Sequence, residues 1–142
     1  YDSSIFPVKN HIYGDPKAQR WIHIIHRQNG QSITEIPMST IRIAGINLPF
    51  IGGFYSRLLP YPLTKQGIKL LNANGKPAIM YLHPWEIDPE TPKIKTSFTN
   101  LVVHRINLNK TENKLQKLLA DFSFIPIQEL LDNYKKDNQH EA

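Results

Sequence analysis

An apolar segment that ends abruptly in polar residues constrains the fold of this chain more than any other sequence feature. Residues 77–82 read Pro-Ala-Ile-Met-Tyr-Leu, and the next four are His83, Pro84, Trp85 and Glu86. A short apolar run is typical of a buried strand, and α/β proteins bind ligands at the C-terminal ends of their strands. The pattern therefore predicts a strand over 77–82 with a functional site at its end.

His83 is the first candidate for chemistry at this strand end. Pro84 restricts the preceding residue to an extended backbone, which fixes the direction of the His83 side chain. Trp85 can form an apolar wall beside the imidazole, and Glu86 is near enough in sequence to orient or charge it. A histidine in such surroundings can act as a general acid or base near neutral pH. The alternative is a structural histidine that only completes a hydrogen bond.

A helix precedes the predicted strand, which gives the helix–strand step of an α/β fold. Thr64 is the expected N-cap of a helix over residues 65–73, with Ile68 and Leu71 facing inward. The dipeptide Asn74-Gly75 after it has the composition of a left-handed C-cap.

The sequence upstream of this helix predicts a hairpin and a short helix. Asn29-Gly30 predicts a turn between strands over 21–26 and 32–38, and Gly52-Gly53 predicts a tight turn into a short helix. Further short strands are expected over 4–8 and 41–43.

The sequence downstream predicts a long loop over 87–98 and a strand over 102–108. Asn109 and Glu112 then have the spacing of a capping box that opens a helix with a leucine stripe. A short strand over 124–127 and a last helix over 128–136 complete the prediction.

Composition excludes several classes of protein. The 142 residues suit one domain with a core of its own, and the absence of cysteine excludes disulfides and thiolate metal sites. No apolar run approaches the roughly 20 residues that span a bilayer. The net charge of +5 is spread along the chain, without the interleaved aromatics of a single-strand-binding protein. We therefore expect no membrane span and no nucleic-acid partner.

The other histidines are weaker candidates for a site. His23 and His26 lie three residues apart in a β-prone segment, where they would point to opposite faces and could not bind one metal ion. His104 is expected in a strand, and His11 and His140 in a loop and in the tail, as structural or exposed residues.

Two polar segments leave their roles open. Arg57 follows the double glycine among apolar residues, and is either a surface residue of a helix or a guanidinium that contacts a carboxylate-like group. Asp2-Ser3-Ser4 is compatible with a helix cap, a turn or a site.

Four motifs occur in the order found in one known family. They are Tyr1-Asp2-Ser3-Ser4-Ile5-Phe6-Pro7, Glu35-Ile36-Pro37-Met38-Ser39-Thr40, Gly52-Gly53-Phe54-Tyr55-Ser56-Arg57-Leu58-Leu59-Pro60 and Tyr81-Leu82-His83-Pro84-Trp85-Glu86-Ile87-Asp88. With them, the chain closely resembles the C-terminal portion of NodB-type polysaccharide deacetylases, in the branch linked to exosortase and exopolysaccharide loci. The likeness extends to about Tyr134.

The resemblance implies a fold and a reaction. The fold is α/β, the C-terminal portion of a distorted (β/α) barrel, which can rearrange into an α+β unit when isolated. The reaction is the metal-dependent hydrolysis of N-acetyl groups on a polysaccharide. Residues 1–137 would form the C-terminal region of the deacetylase domain, and residues 138–142 a frayed tail.

The resemblance also implies residue roles. His83 matches the late histidine that protonates the leaving amine, so it is the expected catalytic residue. Asp2 and Ser3 match a motif near the substrate groove. The remaining expected substrate-binding residues are Arg57, Trp85 and Glu86.

The chain departs from the family pattern at the metal site. In the family, an Asp and a His-x-x-x-His pair hold a divalent metal, usually zinc, and a second Asp acts as the base; these motifs are absent from this sequence. We therefore expect a longer protein whose N-terminal half of the barrel holds the metal, and expect this part alone to hold none and to be inactive. Tyr81 also stands where many relatives have a Leu near the acetyl methyl.

Two further expectations concern partners. A partial barrel leaves strand edges open, and two copies can pair through such edges as a homodimer. The alternative to an enzyme is a non-catalytic glycan-binding or scaffold module, in which Trp21, Trp85 and the tyrosines stack on sugar rings. A metal-binding motif upstream of Tyr1 would favour the enzyme.

Overall fold

The computed structural model describes residues 1–9, 14–92 and 95–139, with side chains as far as residue 136. Its elements are β1 (His23–His26), β2 (Ser32–Glu35), β3 (Thr40–Ile43), β4 (Ile46–Pro49), α1 (Gly53–Leu58), α2 (Tyr61–Ala73), a 3₁₀ helix (Pro84–Ile87), α3 (Phe98–Arg105), α4 (Leu108–Asp121) and α5 (Ile127–Gln139). The chain divides into two compact units, Tyr1–Glu112 and Asn113–Ala142, with the boundary inside α4.

Two antiparallel hairpins form the first part of the chain. β1 pairs with β2, which places His23 opposite Glu35, and β3 pairs with β4. The predicted turn at Asn29-Gly30 is confirmed: Gly30 has a φ of 81°, and the Gly30 N–H donates to the Arg27 carbonyl at 3.1 Å. Asn-Gly turns favour this backbone because glycine adopts a positive φ without strain.

The predicted strand over 4–8 is wrong. Residues 4–8 contain no strand. Just before them, Asp2 makes an isolated parallel bridge with Glu35. Pro7 lacks the N–H that a longer ladder needs. Phe6 is nevertheless buried, and its ring packs edge-on against Tyr55 of α1 with a centroid distance of 6.2 Å.

α2 begins earlier than the sequence predicted. Pro60 and Pro62 stand at its start, where a missing N–H leaves no bond unmade. Thr64 is therefore a buried residue inside the helix and not its N-cap. Gly67 lets the helix approach the core, because a Cβ there would lie 2.4 Å from the Phe50 ring. The predicted C-cap is confirmed by Gly75, whose φ is 65°.

Residues 77–82 do not form the predicted strand. Their backbone makes separate hydrogen bonds instead of a ladder: the Ile79 N–H donates to Ser39 Oγ at 2.7 Å, and the Tyr81 carbonyl accepts from the Gly53 N–H at 3.3 Å. Residues 78–82 are half-buried. The apolar character of the run therefore reflects packing, and not pairing with another strand.

Residues 98–105 form α3, so the predicted strand over 102–108 is wrong and His104 lies on a helix. Ser97 caps α3 by accepting a hydrogen bond from the Asn100 N–H at 3.3 Å. The predicted loop before it is confirmed over residues 88–92 and 95–97, and the two residues between these ranges lie outside the described part of the chain. α4 begins at Leu108, so Asn109 lies inside the helix and does not cap it.

The second unit contains the end of α4 and the whole of α5. Leu118, in the helix with the predicted leucine stripe, is buried, as is Leu131 of α5, whereas Leu119 is exposed. The predicted strand over 124–127 is wrong, because Ile127 already opens α5. Residues 138 and 139 are helical; the rest of the predicted tail, with His140, lies outside the described residues, as does His11.

None of the helices in the described part of the chain is long and apolar enough to cross a membrane. The assignment of the whole chain to a portion of a (β/α) barrel stays a prediction.

Candidate functional site

His83 lies immediately before the 3₁₀ helix and has the extended backbone that Pro84 imposes, with φ −92° and ψ 143°. The His83 N–H donates to Glu86 Oε2 at 2.9 Å, and the Glu86 N–H donates to the His83 carbonyl at 2.9 Å. These reciprocal bonds close the turn. Glu86 therefore orients His83 through its backbone.

The imidazole of His83 contacts two aromatic rings. The Trp85 ring stacks with it at a centroid distance of 6.2 Å and an interplanar angle of 10°. The Tyr81 ring meets it edge-on at 5.6 Å. His83 is exposed while Trp85 is half-buried, so the imidazole is accessible although its neighbours limit its orientations.

Glu86 and Arg57 form a buried ion pair. Arg57 Nε lies 2.9 Å from Glu86 Oε1, and the two side chains are 2% and 1% exposed. The same carboxylate thus binds the His83 backbone through one oxygen and the guanidinium through the other. The guanidinium also lies 5.0 Å from the centre of the Trp85 ring.

Arg57 binds the C-terminal end of α3 as well. Its Nη1 donates to the carbonyl oxygens of Val103, His104 and Ile106 at 3.1, 3.1 and 3.2 Å. The last carbonyls of a helix have no intrahelical donor and carry partial negative charge, so a buried cation is stabilised there. The interpretation of Arg57 as a surface residue is therefore wrong; its predicted contact with substrate stays a prediction.

Asn107 supports this junction, although no local sequence signal gave it a role. Its φ of 52° is left-handed, a conformation that Asn adopts more readily than most residues. Its Nδ2 donates to the Arg57 carbonyl at 3.0 Å, and its own carbonyl accepts from Thr111 Oγ1 at 3.1 Å.

Tyr81 packs against the double glycine. A Cβ on Gly52 would lie 2.6 Å from the Tyr81 ring, and one on Gly53 would lie 2.7 Å from the phenol oxygen. Burial raises the pKa of Tyr81, and the charge of Glu86 adds to this effect, while Arg57 opposes it. The double glycine therefore provides space for a neutral phenol as well as the predicted turn.

Asp2 and Ser3 bond to nearby backbone. The Asp2 carboxylate accepts from the Ser3 N–H and from Ser4 Oγ, both at 2.8 Å. Ser3 Oγ donates to the Ile36 carbonyl at 2.6 Å. These bonds are to their own turn and to the end of β2, whereas Arg57, His83, Trp85 and Glu86 contact one another. The predicted place of Asp2 and Ser3 near a substrate groove stays a prediction.

A pocket of about 290 Å³ lies next to the cluster. It is lined by Trp85, Thr91, Pro92, Thr96, Leu101, His104, Arg105 and Leu108. The His104 ring lies 5.3 Å from the Trp85 ring. Sequence reasoning missed this pocket because its wall is α3, which was expected to be a loop and a strand.

His23 of β1 and Trp21 make contacts outside the cluster of Arg57, His83, Trp85 and Glu86. His23 Nδ1 lies 2.8 Å from the Trp21 carbonyl. The Trp21 ring lies near two cations, Arg20 at 4.6 Å and Lys76 at 5.5 Å. In the parts of the chain that the structure describes, no group of three His, Asp or Glu side chains is placed to hold a metal ion.

Comparison with known proteins gives one match. No curated protein and no solved structure shows significant similarity to the chain. A family model described as a domain of unknown function, DUF3473, matches residues 3–132. The match includes Arg57, Tyr81, His83, Trp85 and Glu86. The chain therefore belongs to the DUF3473 family.

Proposed function

We propose that this chain is the C-terminal part of a metal-dependent polysaccharide deacetylase and contributes the general acid, His83. The observation that supports this most is an accessible imidazole whose backbone is fixed by Glu86 and whose ring stacks on Trp85. A general acid must be both accessible to substrate and held in one orientation. The resemblance of four motifs to NodB-type deacetylases supplies the reaction.

The proposed role follows from the chemistry of amide hydrolysis. When the C–N bond of an N-acetyl group breaks, acetate forms and the nitrogen leaves as an amine. That nitrogen must gain a proton, because an amide anion is too poor a leaving group. A ring N–H of His83 donates this proton, and such general-acid catalysis contributes about 10²- to 10⁴-fold in rate.

The buried ion pair has a positioning role in this proposal. Glu86 holds the His83 backbone, and Arg57 holds Glu86 and the end of α3. Neither side chain needs to touch the reacting atoms for its loss to displace the imidazole.

The resemblance also implies a divalent metal, usually zinc, that activates the attacking water. The described residues of this chain do not supply such a site. In the proposal, the metal ligands therefore belong to the N-terminal half of the barrel in the longer protein.

Acetate release from chitotetraose, with zinc or cobalt present, tests the proposal. The longer protein should lose roughly a hundredfold or more in kcat in its His83→Gln variant, because the proton donor is removed. The matched control is His26→Gln, which changes an exposed histidine of β1 and should keep full activity. The 142-residue chain alone should release no acetate.

Full activity of the His83→Gln variant would exclude His83 as the general acid. Binding of the oligosaccharide without any acetate release by the longer protein would instead favour the non-catalytic glycan-binding module.

A further inference from the structure

The pocket beside Trp85 has the size and lining of a site for one ring-shaped group. Its volume of about 290 Å³ is at the lower end of the range of ligand pockets. The lining is mostly apolar, with walls from Trp85, Leu101 and Leu108, and His104 and Arg105 border it. Ligand pockets generally combine apolar walls with a small number of placed polar groups. A single sugar ring fits this description better than a long chain does.

Arg105 borders the pocket with a positive charge that no carboxylate in the described part of the chain neutralises. Its Nη1 and Nη2 donate to the carbonyls of Thr91 and Pro89, both at 3.0 Å. Those acceptors are uncharged, and among the described residues Arg105 forms no ion pair. His104 and Thr96 also line the pocket. An anionic group on the ligand would therefore be favoured over a neutral one.

We propose that this pocket is a subsite for an acidic sugar, a glycan residue that carries a carboxylate. This proposal rests on the proposed function only for the choice of a glycan as the ligand. The carboxylate binds the guanidinium of Arg105, whose planar donors match it, and the sugar ring lies against the indole of Trp85. Because Trp85 also stacks on His83, the subsite and the imidazole share one wall.

The proposal names a substrate class for the enzyme. A polymer in which acidic residues alternate with N-acetylated ones would place a carboxylate beside Arg105 while a neighbouring residue presents its acetamide to His83. The net charge of +5 is also favourable for an acidic polymer.

Tryptophan fluorescence can report on this subsite directly. The chain has two tryptophans, so a Trp21→Phe background leaves Trp85 as the single reporter. The 142-residue chain is titrated with a tetrasaccharide of alternating N-acetylglucosamine and glucuronic acid, and separately with neutral chitotetraose. The acidic probe should bind about ten- to a hundredfold more tightly, which is the contribution of a charge-assisted hydrogen bond.

Two variants locate the effect. Arg105→Gln should remove the preference for the acidic probe. The matched control Arg42→Gln should retain it, because Arg42 is an exposed arginine of the β3–β4 hairpin that also donates to a carbonyl, that of Gly45 at 3.2 Å. Leu101→Phe keeps Arg105 and leaves Trp85 as the single tryptophan but adds bulk to the pocket wall, and should weaken binding of both probes; circular dichroism verifies that each variant is folded.

Equal affinity for the two probes, a preference that survives Arg105→Gln, or binding that Leu101→Phe leaves unchanged would each overturn the subsite. These results are separate from the test of the proposed function. A chain that prefers the acidic probe at Trp85, in a longer protein that releases acetate from neither oligosaccharide, would refute the deacetylase and keep the subsite. Acetate release without any preference for the acidic probe would support the deacetylase and refute the subsite.

Discussion

Removal of the Arg57 guanidinium tests whether the buried ion pair stabilises the site. Arg57→Met would leave the carboxylate of Glu86, which is 1% exposed, without its cation, and would remove the donor to two carbonyls of α3 and to that of Ile106 just after it. Loss of one partner from a buried ion pair typically costs about 3–5 kcal/mol. Because small domains are stable by only about 5–15 kcal/mol, this variant should unfold at a much lower denaturant concentration.

The partner variant should have a smaller effect. Glu86→Gln keeps an oxygen that can accept from the His83 N–H, and the guanidinium keeps its carbonyl acceptors on α3. We expect a loss of about 2 kcal/mol, the scale of a hydrogen bond to a charged group. The double variant contains neither charge. Its loss of stability should therefore be smaller than the sum of the two single losses, by at least about 1 kcal/mol.

Urea unfolding of the four proteins, followed by circular dichroism, measures these free energies. Arg42→Met is the matched control, since it removes an exposed arginine and should change stability by less than about 0.5 kcal/mol. A loss below about 1 kcal/mol for Arg57→Met would refute the reasoning, because exposed ion pairs contribute no more than that. Additive losses in the double variant would show that the two charges do not interact.

Two further predictions concern Tyr81. Gly52→Ala should destabilise the chain more than Gly45→Ala in urea unfolding. The two glycines have similar φ values, 85° and 81°, but of the two new Cβ atoms only the one at Gly52 would meet the Tyr81 ring. Equal losses of stability would contradict the packing argument. The raised pKa of Tyr81 means that the folded chain holds the phenolic proton more tightly than the unfolded chain. Its contribution to stability is therefore present below the unfolded pKa of about 10 and is lost as pH rises through the folded pKa. Wild type should lose stability more steeply than Tyr81→Phe above that pH, and parallel curves would disprove the effect.

The parts of the fold that one or two residues determine could be predicted from the sequence. Gly30 and Gly75 adopt the positive φ that their turns require, and both turns were expected. The apolar runs over 77–82 and 102–108 were wrongly predicted as strands, because apolar character indicates burial and does not identify the hydrogen-bond partner of the backbone. The first run has no ladder, and the second is largely helical.

Residues of the candidate site could be named from the sequence, but the contacts between them could not be predicted. His83, Trp85 and Glu86 are neighbours in sequence, so their grouping needed no tertiary information. Arg57 reaches them from 29 residues away, and no local pattern indicates that pairing. Arg105 was missed for a related reason, since it borders a pocket only because α3 is a helix.

The bonds between Arg57 and α3 have a consequence for variation among relatives. The acceptors on α3 are main-chain oxygens, which every residue type provides. Substitutions at Val103, His104 or Ile106 can change the side chain and leave the contact intact, so covariation with Arg57 should be weak although the residues touch. Side chains on α3 are then free to diverge, so the lining of the pocket can change without disturbing the ion pair that holds His83.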